Sequence, residues 1–353
     1  MRYKIFSVFL LLSHFSVTFS NVMNTSYFEL FYGKDFYDLK IDYPLYESSK
    51  LLVDPHFDVS LLTMMFLDGY KDESTLTDVL GKKTIVNAFL TRGDYNVIIV
   101  NWDKIASGNY IFTAMPNSKK FGGVLADAIL EMTENGFNLT SLHIVGHSLG
   151  SQLAGFLGQS IIKKSEGKRK LRRITGLDPA FPIFYPGWLM GHISEKDAEL
   201  VDVIHTDGWT YGTPFRTGTV DFWVNGGILE QPGCPERGKL FSCDDMCAHM
   251  RSVMFFAESA QRKNEKPFMA QKCDSWNKFK NGQCEEGFIF MGINCPENAT
   301  GDYYLQTNEI SPFSLGLEGL KYNKSKSNSK VDAGTFTTVL LVINFWHKGI
   351  FSV

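Results

Sequence analysis

Two largely apolar runs stand in the first third of the chain, "VSLLTMMFL" (59–67) and "YNVIIVNW" (95–102). Continuous runs of this length are typical of strands buried on both faces of a sheet, because a strand with one solvent face alternates apolar and polar residues. "LHIV" (142–145) follows as a further strand, and "RRITGL" (172–177) and "LVDVIHT" (200–206) are two more strand candidates.

Helical spacing appears between these strands. "FGGVLADAILEM" places five residues on one helical face, namely Phe121, Val124, Leu125, Ala128 and Met132. "SQLAGFLGQSII", directly after the 142–145 run, predicts a second helix, and its small residues allow close packing against a sheet. Alternating strands and helices predict an α/β fold with a mostly parallel central sheet flanked by helices.

The pattern differs at both ends of the chain. Arg2 and Lys4 precede the apolar "IFSVFLLL", and small residues at 18 and 20 precede Asn21, as in a secretory signal peptide. After residue 215 loops, glycines and cysteines dominate, apart from a predicted helix at 249–261. We therefore expect a signal peptide (1–20), an α/β domain (21–320), and a basic linker with a short apolar tail (321–353), too short to span a membrane.

Composition narrows the class of protein. The chain has 353 residues, 44% hydrophobic and 21% charged, with a formal net charge of −3, which gives no argument for nucleic-acid binding. All six cysteines follow residue 230, and an even count behind a signal peptide predicts disulfides. Four sequons are candidate glycosylation sites: Asn24, Asn138, Asn298 and Asn323. These features predict a secreted, extracellular glycoprotein.

The stretch "LHIVGHSLG" carries the first candidate for chemistry. It places Ser148 between a predicted strand and a predicted helix, in a Gly-x-Ser-x-Gly pattern typical of a nucleophile at a sharp turn. Gly146 and Gly150 remove the side chains that would clash in such a turn. The backbone N–H of Leu149, at the start of the helix, is a candidate donor to an oxyanion.

A serine nucleophile needs a base and an orienting carboxylate, which in this kind of fold follow it in the order acid, then histidine. Asp178 ends the 172–177 strand at the same sheet edge as Ser148. Four histidines follow it: His192, His205, His249 and His347. His205 lies in an apolar strand and His347 in the tail. His249, which begins a helix after a cysteine-rich segment, is favoured as the base, with His192 still open.

A family resemblance sharpens this choice. "HIVGHSLGSQLAG", "ITGLDPAFP", "VDVIHTDG", "DFWVNGG", "QPGC" and "CAHMRS" resemble, in this order, the pancreatic-type lipase family, and "GDYYLQTN" and "SPF" continue the match. The resemblance covers roughly residues 60–316 and is close to insect lipase and phospholipase A1-like members. It implies an α/β-hydrolase fold with Ser148 as nucleophile, Asp178 as acid and His249 as base, and no cofactor.

The resemblance also implies an oxyanion hole formed by the N–H groups of Tyr70 and Leu149. The family usually has His-Gly before the aromatic residue, whereas this chain has Asp68-Gly69. A carboxylate that points into the hole would disfavour an oxyanion.

Disulfide pairing follows from the resemblance as well. A lid loop closed by Cys234–Cys247 should end two residues before His249, and Cys273–Cys284 should form a second bridge. Cys243 is extra within the lid and Cys295 lacks its usual partner, so we expect a Cys243–Cys295 bridge that tethers the lid.

The segments 235–246 and 209–217 are shorter than in triglyceride lipases of the family. We therefore expect a secreted serine lipase that cleaves fatty-acyl esters of glycerolipids through an acyl-enzyme, at a membrane, micelle or lipoprotein surface. One alternative is a phospholipase A1. Another is a catalytically silent lipid-binding or storage protein, which Asp68 would favour.

Two features of larger relatives are not expected here. Too little chain follows Gly316 for their complete C-terminal β-sandwich domain, so no colipase partner is expected. No required metal is expected either, because Ser194 stands where calcium-binding members have an acid beside the position of Asp197.

Overall fold

An eleven-stranded sheet organises the chain. A computed structural model describes residues 25–71, 76–185, 187, 190–235, 242, 244–261 and 266–324. The predicted signal peptide, Asn24, Cys243 and the predicted tail from residue 325 onward, with His347, lie outside the described residues. Among the described helices, none is both long and apolar enough to cross a membrane.

The strands are β1 (Tyr27–Tyr32), β2 (Leu39–Pro44), β3 (Leu62–Leu67), β4 (Tyr95–Asn101), β5 (Leu142–His147), β6 (Leu171–Leu177), β7 (Ala198–His205), β8 (Val220–Val224), β9 (Met269–Lys272), β10 (Ile289–Phe290) and β11 (Gly301–Leu305). The helices are α1 (Leu76–Arg92), α2 (Met115–Glu134), α3 (Leu149–Lys164), α4 (Cys247–Ala260) and α5 (Trp276–Lys280). Short 3-10 and π turns connect them.

The strand order is β10-β9-β11-β8-β7-β6-β5-β3-β4-β1-β2. Every neighbouring pair from β4 across to β11 is parallel, and the outer strands are antiparallel. The prediction of a mostly parallel central sheet with flanking helices, and of an α/β-hydrolase architecture, is confirmed.

Alternate residues of the central strands enter two separate cores. On β3, Met65 and Leu67 belong to the core that includes α2 and α3, whereas Met64 and Phe66 belong to the core with α1 and α4. Both faces of this strand are therefore buried, which explains its continuous apolar run.

The expected loss of regular structure after residue 215 is wrong. β8 and β11 pair in parallel and extend the sheet. Each has only five residues and carries an aspartate at its second position, Asp221 or Asp302, so neither forms an apolar run. β1 and β2 were also not predicted. At the other edge of the sheet β1 pairs with β4, and β2 pairs with β1.

The structure contains two of the three expected disulfides, Cys234–Cys247 and Cys273–Cys284. The expected Cys243–Cys295 bridge is wrong, because Cys295 is a buried free thiol. The segment before Cys295 is tied to the last turn of α4, where Ile293 N–H donates to Ser259 Oγ at 3.0 Å.

Candidate active site

Ser148 lies at the turn between β5 and α3 in a strained backbone conformation, with φ 53° and ψ −119°. Such a conformation costs on the order of 1–3 kcal/mol and persists only where the surroundings enforce it. Two hydrogen bonds do so: Ser148 N–H donates to Leu177 O (3.0 Å), and Ser148 O accepts from Ala180 N–H (3.2 Å). The end of β6 thus holds the turn that displays the Ser148 side chain.

Gly150 allows a second segment to approach this turn. A Cβ on Gly150 would lie 2.0 Å from Leu67 O and 2.4 Å from Asp68 O, so only glycine fits. A Cβ on Gly69 would lie 3.2 Å from Ser148 Cβ. The loop after β3, here called the oxyanion loop (residues 68–71), therefore lies directly against the serine.

Asp178 and His249 form a buried pair at the same edge of the sheet. His249 Nδ1 lies 2.6 Å from Asp178 Oδ2, and both side chains are at most 1% exposed. Asp178 Oδ1 accepts the N–H groups of Thr206 (2.8 Å) and Asp207 (3.1 Å), which follow β7. Each carboxylate oxygen thus has its own donors, and these donors fix the orientation of the carboxylate.

Gly212 makes room for this carboxylate. A Cβ at that position would lie 2.3 Å from both carboxylate oxygens of Asp178. Neither Gly212 nor Asp207 was identified from the sequence, although "HTDG" lies in one of the segments that carry the resemblance.

The helix α4 positions His249, which is its third residue. Cys247, the first residue of α4, is bonded to Cys234 with a Cα–Cα distance of 5.7 Å. The imidazole packs against the rings of His147 and Tyr211, at centroid distances of 4.6 and 5.6 Å. The disulfide and these rings confine the histidine beside Asp178.

His147 is a neighbour that the sequence reasoning missed. Its burial, and secondly the proximity of His249, lower the pKa of His147 to about 3. His147 is therefore neutral at physiological pH and adds no second positive charge beside His249. Its position within the "GHSLG" stretch was the available signal.

The other candidate histidines are engaged elsewhere. His205 Nε2 lies 2.8 Å from Asp221 Oδ1, its Nδ1 lies 3.0 Å from Thr213 O, and its ring stacks on Trp223. His192 Nδ1 lies 2.6 Å from Ile193 O. Of the described histidines considered as the base, His249 is the one paired with Asp178.

The oxyanion loop contains Asp68, which departs from the family pattern, and Lys71, which the sequence reasoning did not identify. Asp68 is 2% exposed, and its Oδ2 accepts from Lys71 Nζ at 2.5 Å. Burial alone would raise the pKa of Asp68, but Lys71 and Lys82 outweigh it and lower the pKa below its ordinary value. Tyr70, which follows Gly69, donates its hydroxyl to Gly108 O at 2.5 Å.

An aromatic cluster borders the site on the side of Asp178. The ring centroids of Phe181, Trp209 and Phe215 lie 5.7–6.1 Å from one another. Trp209 and Phe215 are each 43% exposed. This aromatic rim offers apolar surface beside the strand ends that carry the candidate residues.

The remaining predicted positions lie away from this edge. Asn138, Asn298 and Asn323 are exposed, as a glycosylated side chain must be. Asp197 is buried, and its oxygens accept from Ser194 N–H, Ser194 Oγ and Gln159 Nε2. Donors surround this carboxylate where a calcium ion would need further oxygen ligands, so the residues present do not fit that ion.

Burial, partly offset by the hydrogen bonds from Ser194 and Gln159, raises the pKa of Asp197 to about 6. Because the pKa of Asp197 is higher in the folded state than in the unfolded state, its carboxyl group loses its proton less readily in the folded protein. The free energy of unfolding therefore decreases as pH rises through about 4 to 6. We expect Asp197→Asn to stabilise the protein at pH 8 by about 1–3 kcal/mol. Urea unfolding measures this. A gain that does not shrink at pH 4, or a loss at pH 8, would contradict the assignment.

Comparison with known proteins adds a family to this geometry. A family model described as Lipase matches residues 43–313. "Lipase member H" of Danio rerio is 32% identical over 80% of this chain, and "Phospholipase A1 member A" of Rattus norvegicus is 30% identical over 81%. The chain spans 63% of the length of each of these two relatives.

A solved α/β hydrolase from a deep-sea metagenome library matches 42% of this chain and 57% of that chain. Its identity of 16% and TM-score of 0.27 are too low to bear on function.

Proposed function

The chain belongs to the Lipase family, and from this premise we propose that it hydrolyses fatty-acyl esters of glycerolipids through an acyl-enzyme. In this proposal Ser148 is the nucleophile, His249 the general base and Asp178 the orienting acid. The 2.6 Å contact between His249 Nδ1 and Asp178 Oδ2, at the sheet edge where Ser148 is displayed, is the observation that carries it.

The proposed reaction has two halves. Ser148 Oγ attacks the ester carbonyl carbon while His249 Nε2 takes the hydroxyl proton, and the carbonyl oxygen becomes an oxyanion. The carbon–oxygen bond to the glycerol then breaks, and the glycerol oxygen leaves with the proton from His249. Water adds to the acyl-enzyme by the reverse proton transfers and releases the fatty acid.

Asp178 sets the direction of these proton transfers. Because Oδ2 accepts the N–H at Nδ1 of His249, the lone pair of the neutral ring lies on Nε2. The oxyanion is proposed to accept from the N–H groups of Leu149 and Tyr70. The approach of Gly69 to Ser148 supports this placement of the oxyanion loop.

The aromatic rim supports a lipid rather than a small soluble ester as substrate. Trp209 and Phe215 are exposed and pack with Phe181, which follows Asp178 by three residues, and we propose that an acyl chain contacts these rings. The segment 209–217 that carries two of these rings is short, which favours phospholipase A1 activity as the second candidate. The similarity to a relative named phospholipase A1 points the same way.

A catalytically silent protein is the less favoured alternative. Its main support was the carboxylate of Asp68 beside the oxyanion hole. Both oxygens of that carboxylate accept hydrogen bonds, one from Gly69 N–H (2.8 Å) and one from Lys71 Nζ. The carboxylate is thus paired within its own loop.

Secretion is part of the proposal. The apolar N-terminal stretch resembles a signal peptide, and two disulfides suit an oxidising compartment. The protein is expected in the culture medium of cells that express the whole chain.

One experiment tests activity and secretion together. Protein collected from the medium is given triacylglycerol, phosphatidylcholine and a short-chain ester, and fatty acid and lysolipid products are identified. We expect hydrolysis of at least one long-chain lipid at a higher kcat/KM than the short ester. Release of a 2-acyl lysophospholipid would establish the phospholipase A1 alternative. No hydrolysis of any substrate, or no protein in the medium, would contradict the respective part.

A further inference from the structure

The oxyanion loop contributes Asp68 and Lys71 to an alternating set of four charges. Asp68 pairs with Lys71 at 2.5 Å, and Lys71 Nζ also lies 3.9 Å from Asp103 Oδ1. Asp103 in turn pairs with Lys82 of α1 at 3.0 Å. The side chains of Asp68 and Lys71 are 3% and 11% exposed, whereas that of Asp103 is 42% exposed, so solvent screens the Asp68–Lys71 pair only weakly.

Lys71 fastens the loop by its main chain as well. Its N–H donates to Ala106 O at 3.0 Å, and it forms an isolated parallel bridge with Ser107. Tyr70 between Asp68 and Lys71 is held by Gly108 O and by the edge of the Tyr110 ring. The turn is therefore fixed at both ends and in the middle.

Charge at this position bears directly on the reaction. Asp68 precedes Gly69, the residue packed against Ser148, and the buried carboxylate and the developing oxyanion have the same sign. An uncompensated unit charge several ångströms away, at an effective dielectric constant near 20, changes a rate on the order of ten- to a hundredfold.

We propose that Lys71 is a positioning residue for the oxyanion hole: its ammonium neutralises the buried Asp68 carboxylate and, with it, fixes the turn that presents the Tyr70 N–H. This inference rests on the proposed function. It treats the Asp68-Gly69 departure from the family pattern and the lysine at position 71 as one unit.

The two charges of the pair have opposite consequences, and this separates the proposal from an ordinary structural ion pair. Lys71→Met removes the ion-pair partner of the Asp68 anion beside the hole and leaves the weaker field of Lys82 to offset part of its charge. Asp68→Asn removes the anion, keeps a carbonyl oxygen to accept Gly69 N–H, and leaves a cation that does not oppose an oxyanion. A merely structural pair would lose similar amounts from either change.

The test measures kcat and the rate at which an alkyl fluorophosphonate modifies Ser148. In that modification Ser148 Oγ displaces fluoride from phosphorus and the phosphoryl oxygen takes the oxyanion position. We expect Lys71→Met to lower both rates by at least about tenfold with little change in KM. Asp68→Asn should cost less than about threefold, and the double variant should recover most of the loss.

Lys164→Met is the matched control, because it removes an exposed ion pair between Lys164 of α3 and Asp127 of α2 and should leave both rates unchanged. If Lys71→Met does not fold, Asp68→Asn and the double variant still decide, since a tenfold loss in both overturns the inference. Equal rates for Lys71→Met and the wild type, or equal losses from the two single changes, also overturn it. A wild type that the fluorophosphonate does not modify would instead contradict the proposed function itself.

Discussion

Replacing Ser148 with alanine is expected to lower the rate of lipid hydrolysis by on the order of 10⁴- to 10⁶-fold, while the protein stays folded. In the proposed mechanism the Ser148 hydroxyl oxygen attacks the ester and forms the acyl-enzyme, and alanine has no atom that could replace it. The backbone hydrogen bonds to Leu177 and Ala180 do not involve the side chain, so the turn remains intact.

The measurement is kcat on the preferred lipid, together with covalent labelling by the fluorophosphonate and the midpoint of thermal unfolding. Ser148→Ala should lose labelling completely, with an unfolding midpoint near that of the wild type. Ser151→Ala is the matched control in the first turn of α3, directly after Ser148, because Ser151 Oγ donates to Gly146 O at 2.7 Å and is buried. It should lower stability yet keep labelling. Hydrolysis that survives in Ser148→Ala would refute the assignment of the nucleophile.

Local pattern was sufficient to place Ser148 and Asp178 at one edge of the sheet. A glycine on each side of the serine and a proline after Asp178 act within a few residues, and apolar runs mark β3, β4 and β5, with shorter apolar stretches in β6 and β7. The same reasoning failed for β8 and β11, because each has only five residues and an aspartate at its second position, which leaves too short an apolar stretch to read. Their regularity comes from pairing with each other and with β7.

The choice of the base depended on tertiary structure. His192 and His249 both follow Asp178 in loop-rich sequence, and apart from the family resemblance the folded chain separates them: His192 bonds to Ile193 O, whereas α4 returns His249 to Asp178. Two of the three predicted disulfides are present, and the third, Cys243–Cys295, failed for a related reason. Cys295 belongs to the segment that packs at the far end of α4, a position that spacing along the chain does not reveal.

For Asp68 the sequence identified the residue but not the charges around it. The sequence identified it as an unusual carboxylate next to Gly69, and the structure packs Gly69 against Ser148. The sequence did not indicate which cations compensate the charge of Asp68. Its compensation comes from Lys71, three residues later, and from Lys82 on another helix. The turn at residues 68–71 brings Lys71 to the Asp68 carboxylate, and the packing of α1 brings Lys82 near it.

Asp178→Asn is expected to lower kcat by about 10⁴-fold with the fold retained. Thr206 N–H and Asp207 N–H both need an acceptor at Oδ1, so the carbonyl oxygen of the asparagine should face them. The amide NH₂ then faces His249 Nδ1, which must become the acceptor. The proton of the neutral ring moves to Nε2, and the lone pair that should receive the Ser148 proton is lost.

A second buried histidine–aspartate pair in the same sheet provides the control. Asp221 Oδ1 accepts from His205 at 2.8 Å and from the N–H groups of Thr217 and Gly218, much as Asp178 does. Asp221→Asn should therefore lower the free energy of unfolding while the folded fraction keeps its kcat. Asp178→Asn should instead lower kcat while the protein stays folded. If Asp221→Asn lost as much activity as Asp178→Asn, the loss would report a disturbed sheet edge, and the assignment of Asp178 as the orienting acid would fail.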